Sequence, residues 1–458
     1  MLKRGHSLKV SLLILGDLIL FYAALFGALF LRQYYELDTL LVKRHLLPFS
    51  IIFLLWLVIF GAFGFYDLRF MKNSKVFLYR LLRVMATNAV VTILVLYLIP
   101  IFEIEPRRNL FLITGIATIY IFLWRYLFNL IIIRTHAPRV IFFGVNREMV
   151  ELADFLLKNP QLGQRPVAFV SNGESRNDPD ILPLPHYQFN QNLDHILRDT
   201  GADTIVITSD LKGNKTLVRL LFQVIPLGIS VAEFPQYHEM LTGKIPLSLI
   251  GEVWFLENLI GIRKKFYEFF KRIGDVALAT LLGIPTLLLL PFIALAIKLD
   301  SEGPTFYRQK RVGRHGKDFW LIKYRSMVKD AENLSGQKEA GRDPRHTRTG
   351  RFLRKSYLDE LPQIINILKG EMSFVGPRPE RPHYVAELKQ KIPFYEMRLL
   401  IPPGLTGWAQ VNMENDASVE DAPEKMQYDL YYTKNRSALL DFLIIIKTLF
   451  ALLHRTGR

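Results

Sequence analysis

No cysteine occurs among the 458 residues of the chain. A disulfide framework, a zinc–thiolate site and a cysteine nucleophile are therefore excluded, and the composition suits a reducing compartment. A small-residue cleavage site is also missing after the first apolar stretch, which is too long for the h-region of a signal peptide. We therefore expect no cleavable leader.

Acidic residues are fewer than basic ones, because 42 Asp and Glu stand against 58 Lys and Arg, a formal net charge of +16. No nucleic-acid-binding motif accompanies this charge, so we expect no nucleic-acid partner. Half of the residues (50%) are hydrophobic, and they gather in long runs. In a membrane chain, such an excess of positive charge points to anionic lipid headgroups and phosphorylated substrates.

The first third of the chain has the pattern of a membrane-spanning domain, 1–136. A hydrocarbon core of roughly 30 Å needs about 20 helical residues, and four apolar stretches reach that length: 8–31, 47–66, 82–102 and 109–133. Lys and Arg are concentrated before the first stretch, between the second and third, and after the fourth. The positive-inside rule therefore places the N-terminus and everything after residue 134 in the cytoplasm.

Asp17 and Arg125 are the clearest charges inside these stretches. With the N-terminus inside, both lie at about 12–14 Å from the cytoplasmic ends of their helices, at 1.5 Å per residue. A charge within the membrane usually faces a partner. We therefore predict that Asp17 and Arg125 pair, with snorkelling of Arg125 alone as the alternative.

Residues 137–262 alternate between strand and helix patterns. The strand-like runs are Arg139–Val145, Pro166–Val170, Thr204–Thr208 and Ile229–Phe234, and the helical patterns cover 147–158 and 214–226. This alternation predicts a Rossmann-like α/β domain with a parallel sheet. The turn at Gly144 lacks the second and third glycines of a dinucleotide fingerprint, and Ser171 and Asn172 stand where a ribose-binding acid is sought. A scaffold or regulatory domain is therefore favoured over a dinucleotide site.

A fifth apolar stretch, 274–298, opens the third predicted domain, 263–458. Basic residues flank it on both sides, so both flanks should be cytoplasmic. Pro285 and Pro291 lie within it, and each removes a backbone donor from a helix. These features predict a re-entrant helical hairpin, with a kinked spanning helix as the alternative.

Two adjacent carboxylates, Asp359 and Glu360, stand out in the remaining, mainly helical catalytic segment. Ser356, three residues before Asp359, forms the pattern of a capping box. Pro362 would be badly placed in a helix that begins there, so we expect the helix to begin at the Asp359–Glu360 dyad. Both acids would then lie at a positive helix end and stay ionised. Such carboxylates can bind a divalent metal or attack phosphorus.

Basic residues surround the dyad in sequence: Lys323, Arg325, Arg354 and Arg378. Each alone is more often a solvated surface charge than a ligand. Arg378, however, is fixed between Pro377 and Pro379, and a pre-organised arginine suits bidentate contact with phosphate.

These motifs together resemble a known family. From Lys271 to the C-terminus the chain resembles bacterial sugar transferases of the polyprenyl-phosphate hexose-1-phosphate transferase (monotopic phosphoglycosyl transferase) family. The matching blocks include Arg308-Gln-Lys-Arg-Val-Gly313, Leu358-Asp-Glu-Leu-Pro-Gln363, Lys369-Gly-Glu-Met-Ser373, Val375-Gly-Pro-Arg-Pro379, Thr406-Gly-Trp-Ala-Gln-Val411 and Tyr428-Asp-Leu-Tyr-Tyr432. The four spans and the α/β domain resemble the large members of the family. Pro402 departs from it, since many relatives have a basic residue there.

The resemblance implies a reaction and a site. A sugar-1-phosphate would pass from a nucleotide-diphosphate sugar, with UDP expected as the nucleotide, to undecaprenyl phosphate in the bacterial cytoplasmic (inner) membrane. Asp359 would be the nucleophile, Glu360 would help to hold Mg²⁺, and Lys323, Arg325, Arg354 and Arg378 would bind phosphates. Asp429 matches an acidic position near the site, without an assigned role. The family also implies a catalytic domain that faces the cytoplasm, a homodimer and the first membrane step of surface polysaccharide synthesis.

Two other function classes match the sequence less well. A membrane-tethered NAD-dependent nucleotide-sugar dehydratase or epimerase would need a glycine-rich loop and a Tyr-xxx-Lys pair. Tyr267 and Lys271 have that spacing, but the loop is missing. A channel or flippase is disfavoured because the spans contain few ionisable groups.

Overall fold

A computed structural model of the chain describes residues 2–32, 39–68, 71–98, 106–135, 137–171, 183–188, 193–208, 215–259, 264–328, 345–413 and 421–454. The chain divides into two compact units, Met1–Leu249 and Ile250–Arg458. The first unit contains the N-terminal apolar helices together with a parallel sheet. The division into three domains stays a prediction.

Four long helices open the first unit: α1 Leu2–Arg32, α2 Thr39–Ala62, α3 Lys75–Leu98 and α4 Pro106–Thr135. Each is long and apolar enough to cross a membrane, which confirms the predicted apolar helices. Helix α2 ends at Ala62, earlier than predicted, because the chain turns at Gly64, whose φ is 74°. Helix α3 begins at Lys75, earlier than the predicted residue 82.

Polar contacts inside the apolar helices join them in pairs. The indole nitrogen of Trp56 donates to the Thr92 hydroxyl at 2.9 Å and so links α2 to α3. Arg125 Nη2 lies 2.5 Å from Asp17 Oδ2, and both side chains are fully buried, so the predicted pair between α1 and α4 is confirmed. Each buried charge thus has the partner that a low-dielectric environment requires.

A sheet with flanking helices follows in the first unit. Its elements are β1 Arg139–Phe143, α5 Arg147–Lys158, β2 Arg165–Ser171, β3 His186–Gln188, α6 Leu193–Thr200, β4 Thr204–Ile207, α7 Lys215–Val224, β5 Ser230–Glu233 and α8 Phe234–Thr242. The strands are parallel, in the order β3-β2-β1-β4-β5. The predicted parallel α/β sheet is confirmed, and strand β3 is an addition to it. The Rossmann-like assignment stays a prediction.

The sheet and the apolar helices share one hydrophobic core. Leu13 of α1 and Phe128 of α4 belong to the same buried cluster as Val140 and Phe142 of β1. Strand β1 is apolar at successive positions because it is central and covered on both faces. The first unit is therefore held together by burial across its helical and α/β parts.

The second unit is mainly helical. Its elements are α9 Glu252–Leu259, α10 Lys265–Asp300, β6 Phe306–Val312, β7 Asp318–Tyr324, α11 Arg348–Lys355, α12 Ile364–Lys369, β8 Ser373–Val375, α13 Pro382–Lys391, β9 Gly404–Thr406, α14 Trp408–Asn412, α15 Ala422–Asn435 and α16 Ala438–His454. Strands β6 and β7 form an antiparallel hairpin, and β8 pairs with β9 in parallel. The core packs Ala279 of α10 against Ile367, Val375 and Tyr432.

Helix α10 contains the fifth apolar stretch and runs for 36 residues through Pro285 and Pro291. The predicted break between two arms of a hairpin is therefore not confirmed. Each proline removes one backbone N–H from the hydrogen bonds of the helix, and the remaining turns keep their hydrogen bonds, so the helix continues. Most of the apolar surface of α10 is exposed within the chain, with Leu287, Leu288 and Phe292 among the most exposed side chains. Such a surface is typical of contact with lipid.

Both ends of α10 contact the rest of the second unit. Near its start, Arg272 donates to the carbonyls of Ile367 and Leu368 at 2.6 and 2.7 Å. At its end, Asp300 accepts a hydrogen bond of 2.6 Å from the Thr349 backbone N–H. The two ends are thus fixed to the same folded unit.

Candidate active site

The Asp359–Glu360 dyad lies in the first turn of a 3-10 helix, Leu358–Gln363, which continues directly into α12. The expectation that a helix begins at the dyad is confirmed to within one residue. The capping-box interpretation of Ser356 is wrong, because the Ser356 hydroxyl donates to the Phe352 carbonyl at 2.8 Å and so belongs to the end of α11. Tyr357, with a φ of 57°, turns the chain between the two helices.

Asp359 is 8% exposed, and among the residues that the structure describes its carboxyl has no hydrogen-bond donor. Burial raises the pKa of Asp359 to about 6, although the positive charge of Lys323 opposes this shift. The expectation that both acids stay ionised therefore holds near neutral pH, although the end of one short helix does not outweigh the burial of Asp359. Near neutral pH this carboxylate is ionised but poorly solvated, which suits a nucleophile.

Glu360 has the opposite environment. Its Oε1 accepts from Lys323 Nζ at 2.7 Å and from Arg378 Nη2 at 3.3 Å. Burial alone would raise the pKa of Glu360, but the charges and hydrogen bonds of Arg378 and Lys323 together lower it to about 2. Glu360 is thus a permanent anion between two cations.

The predicted phosphate ligands fall into two groups. Lys323 on β7 and Arg378 lie at the dyad through their ion pairs with Glu360. Arg354 lies on the exposed side of α11, with Nη1 3.1 Å from His346 Nε2, and its charge lowers the pKa of Asp359. Lys323 and Arg378 thus contact Glu360, and Arg354 acts on Asp359 through its charge; phosphate binding by these three cations stays a prediction.

Arg325 and Asp429 make other contacts. Arg325 donates to the carbonyls of Ser301 and Glu302 at 2.6 and 2.8 Å, so it closes the C-terminal end of α10. Asp429, on α15, is 1% exposed and lies 2.8 Å from Arg398 Nη2. Both side chains therefore stabilise the structure around the site. The hydrogen bonds of Arg325 go to backbone carbonyls, so they give no support to a direct contact between Arg325 and phosphate.

The Tyr-xxx-Lys pair considered for a dehydratase or epimerase also has a structural partner. Tyr267 and Lys271 both contact Asp441 Oδ2, at 2.6 and 2.7 Å. Asp441 also accepts from Tyr432, so this cluster joins α10 to α15 and α16. Nothing in this geometry supports the alternative function.

Comparison with known proteins agrees with the site. The profile of a family described as bacterial sugar transferase matches residues 266–455. An N-acetylgalactosaminephosphotransferase of Aeromonas hydrophila that acts on UDP-N-acetylgalactosamine and undecaprenyl phosphate is 40% identical over 236 residues, 50% of this chain and 54% of its own length. A UDP-glucose:undecaprenyl-phosphate glucose-1-phosphate transferase of Xanthomonas campestris pv. campestris is 32% identical over 323 residues, 68% of this chain and 65% of its own.

A third relative, the transferase of Caulobacter vibrioides with the same name as the Xanthomonas protein, is 40% identical over 40% of this chain and 69% of its own length. The chain belongs to the bacterial sugar transferase family. It spans about half to two thirds of the length of the first two relatives.

The two carboxylates of the dyad fit one Mg²⁺ only in part. Among the described residues, no group of three or more His, Cys, Asp or Glu could form a protein cage for a metal. Mg²⁺ in phosphate-processing sites, however, is commonly bound through one or two carboxylates, waters and substrate phosphates. The dyad provides such a pair of carboxylates. Glu360 accepts from Lys323 and Arg378 through the same oxygen, Oε1, and Asp359 lies beside it.

The sequence did not indicate the residues that hold the Arg378 segment. This segment, which we call the Arg378 loop, is Gly376–Arg381 between β8 and α13. Lys425 on α15 pairs with Glu380 at 2.6 Å, and Arg398 reaches the loop from the 3-10 helix Tyr395–Leu400. Glu380 directly follows the Gly-Pro-Arg-Pro motif, but Lys425 and Arg398 are distant in sequence and have no motif that points to it.

A shallow surface cleft lies against the Arg378 loop. Its walls include Gly313, Pro377, Arg378, Val385 and Pro403. Arg378 thus lines this cleft and also contacts Glu360 Oε1 at 3.3 Å.

Proposed function

We propose that this sugar transferase moves a sugar-1-phosphate from a nucleotide-diphosphate sugar to undecaprenyl phosphate. The observation that carries the proposal is the contrast within the dyad: Asp359 is buried with no donor in the described part of the chain, and the adjacent Glu360 is ion-paired. The first relatives are named for undecaprenyl-phosphate acceptors and UDP-sugar donors, which supports the same substrate classes here.

The reaction proceeds in two displacements at one phosphorus. An oxygen of the Asp359 carboxylate attacks the phosphorus that bears the sugar, and the bond to the nucleoside monophosphate breaks with its electron pair on the departing phosphate. A phosphate oxygen of undecaprenyl phosphate then attacks the same phosphorus, and the Asp359 carboxylate leaves. Because the reaction has two displacements, the soluble donor and the lipid acceptor do not have to be aligned in the site at the same time.

The cations prepare the site for negative charge. Lys323 and Arg378 hold Glu360 in place, and Arg354 adds positive charge near Asp359. Glu360 and the substrate phosphates would hold Mg²⁺, which would neutralise charge on the diphosphate. Positioning and electrostatic stabilisation supply most of the catalysis in phosphoryl transfer.

The proposal includes the location of the enzyme. The catalytic unit faces the cytoplasm of the bacterial inner membrane, where basic flanks place it, and α10 enters and leaves the membrane on that side. In support, Arg272 and Asp300 near the two ends of α10 bind the same unit, and Gly283 lies close to Ile364 of α12. Product formation would start a lipid-linked surface polysaccharide, and the family likeness favours a homodimer.

Incubation with a panel of UDP-sugars and other nucleotide-diphosphate sugars tests the function. Nucleoside monophosphate and lipid-linked sugar diphosphate should appear only with undecaprenyl phosphate and Mg²⁺ in multiple turnovers. Asp359→Asn should abolish turnover, whereas Asp318→Asn, which removes an exposed carboxylate of the same unit, should retain it. A folded wild-type protein that is inactive with every donor would refute the proposal.

A further inference from the structure

The Arg378 loop is held through its backbone carbonyls. Pro377, Pro379 and Glu380 accept hydrogen bonds of 2.8 to 2.9 Å from Gly404 N, Arg311 Nη1 and Val312 N respectively. Pro377 and Pro379 have no N–H to donate. Gly376 N also donates to the Thr406 carbonyl at 2.9 Å, so backbone hydrogen bonds of both directions hold the loop that carries Arg378.

The carbonyl of Arg378 itself accepts from a buried side chain. Arg398 Nη2 donates to it at 2.9 Å, while Arg398 Nη1 donates to the Tyr395 hydroxyl at 2.6 Å. Arg398 is 4% exposed, so its charge is almost completely removed from water. A buried guanidinium stays in place only with a counter-charge.

Asp429 supplies that counter-charge. Its Oδ2 lies 2.8 Å from the same Arg398 Nη2 that donates to Arg378. Asp429 belongs to α15, whose Tyr428 and Tyr432 pack in the core of the unit. A rigid helix is therefore connected to the Arg378 backbone through a single guanidinium.

We propose that Asp429 is a positioning residue, which acts through Arg398 to fix the backbone of Arg378 and so to aim the Arg378 guanidinium at Glu360. This inference rests on the proposed function, in which Arg378 serves the dyad. Without the Asp429 carboxylate, the Arg398 guanidinium shifts and releases the Arg378 carbonyl. The Arg378 side chain then loses its alignment 3.3 Å from Glu360 Oε1.

A double-mutant cycle between Asp429 and Arg378 separates positioning from general stability. Asp429→Asn should lower kcat on the order of 10- to 100-fold, the range for a side chain misplaced by about 1 Å. In an Arg378→Ala background, where there is no side chain to aim, Asp429→Asn should change kcat less than about twofold. Lipid-linked product from a radiolabelled donor measures both rates.

Two further variants keep the cycle decisive. Arg398→Lys keeps the positive charge beside Asp429 but loses the guanidinium that donates to Arg378. It should therefore lower kcat in the wild-type background and not in the Arg378→Ala background, and it replaces Asp429→Asn in the cycle if that variant does not fold. Glu268→Gln removes the carboxylate that lies 2.8 Å from the equally buried Arg436, and any effect it has should be equal in both backgrounds.

The outcomes distinguish the inference from the function. Equal losses from Asp429→Asn in both backgrounds, or an Arg378→Ala variant as active as wild type, would overturn the positioning role while leaving the transferase intact. An inactive wild-type protein with every donor would overturn the transferase function and this inference with it.

Discussion

At the scale of single residues, the site depends on two neighbouring carboxyls that the fold treats differently. Asp359 is buried and has no hydrogen-bond donor among the described residues, whereas Glu360 lies between Lys323 and Arg378. The pKa of Asp359 is raised to about 6 and that of Glu360 is lowered to about 2. The fold thus disfavours the charged form of Asp359 and stabilises the charged form of Glu360.

This contrast predicts stability changes of opposite sign. Because the pKa of Asp359 is raised, its ionised carboxylate lowers the stability of the folded protein above pH 6, and this effect is absent below the ordinary pKa of an aspartate. Asp359→Asn should therefore stabilise the protein at pH 7.5 by about 2 to 3 kcal/mol. Glu360 adds stability above its ordinary pKa, which is lost as the pH falls toward 2. Glu360→Gln should therefore destabilise the protein at pH 7.5 by about 3 kcal/mol.

Thermal unfolding in detergent at pH 7.5 and pH 4 measures both effects. The advantage of Asp359→Asn over wild type should shrink between pH 7.5 and pH 4, and Asp318→Asn serves as the exposed control. A fall in the unfolding temperature of Asp359→Asn at pH 7.5 would contradict the electrostatic account of the dyad.

The sequence predicted the dyad and part of its surroundings. Lys323 and Arg378 contact Glu360, and Arg354 lies near enough for its charge to lower the pKa of Asp359. Arg325 has the same sequence signature as Lys323 but points to the end of α10. On a strand, residues two apart share a face, yet Arg325 follows the end of β7, where the alternation no longer applies.

At the scale of elements, α1 and α4 pack closely beside the Asp17–Arg125 pair. A Cβ added at Gly16 would lie 2.6 Å from two ring carbons of Trp124, whereas one at Gly115 of α4 would meet no atom within 4 Å. Gly16→Ala should therefore destabilise the helical part by about 1 to 3 kcal/mol. Gly115→Ala should be neutral or slightly stabilising, because alanine favours helix.

The amount of monodisperse protein after heating compares these two glycine variants. Gly16→Ala should lose its monodisperse peak at a lower temperature than wild type, and Gly115→Ala should not. Equal behaviour of the two variants would contradict the close approach of α1 and α4.

The placement of α10 is also testable, because the chain has no cysteine of its own. Single cysteines at Arg147, Lys265 and Lys317, all exposed, should react with an impermeant thiol reagent only after the membrane is opened. Lys265 and Lys317 lie on either side of the apolar stretch. Labelling of Lys317→Cys in intact cells, with Lys265→Cys protected, would show that α10 crosses the membrane.

Elements with a long, regular pattern were predictable, and the others were not. Helix α5 has the predicted bounds because its apolar residues recur at helical spacing and Asn146 caps it. Strand β3 has only three residues, too few for a period to appear. The prolines of α10 suggested a break, but a long apolar helix tolerates the loss of single hydrogen bonds.

At the scale of the whole molecule, the chain combines apolar helices with a second compact unit in which Lys323 and Arg378 meet at one carboxylate dyad. Buried ion pairs lie in both compact units, Asp17 with Arg125 in the first and Asp429 with Arg398 in the second. The sequence predicted the first pair from depth in the membrane. The second pair could not be predicted from the sequence, because Arg398 lies in no recognisable motif.

The most direct test of the account is the intact mass of the protein after incubation with donor alone. The donor is the nucleotide-diphosphate sugar that supports turnover, without undecaprenyl phosphate. Wild type should gain the mass of one sugar phosphate and release an equivalent amount of nucleoside monophosphate, and Asp359→Asn should gain nothing. No added mass on an active wild-type enzyme, with nucleoside monophosphate released only when lipid is present, would contradict Asp359 as the nucleophile.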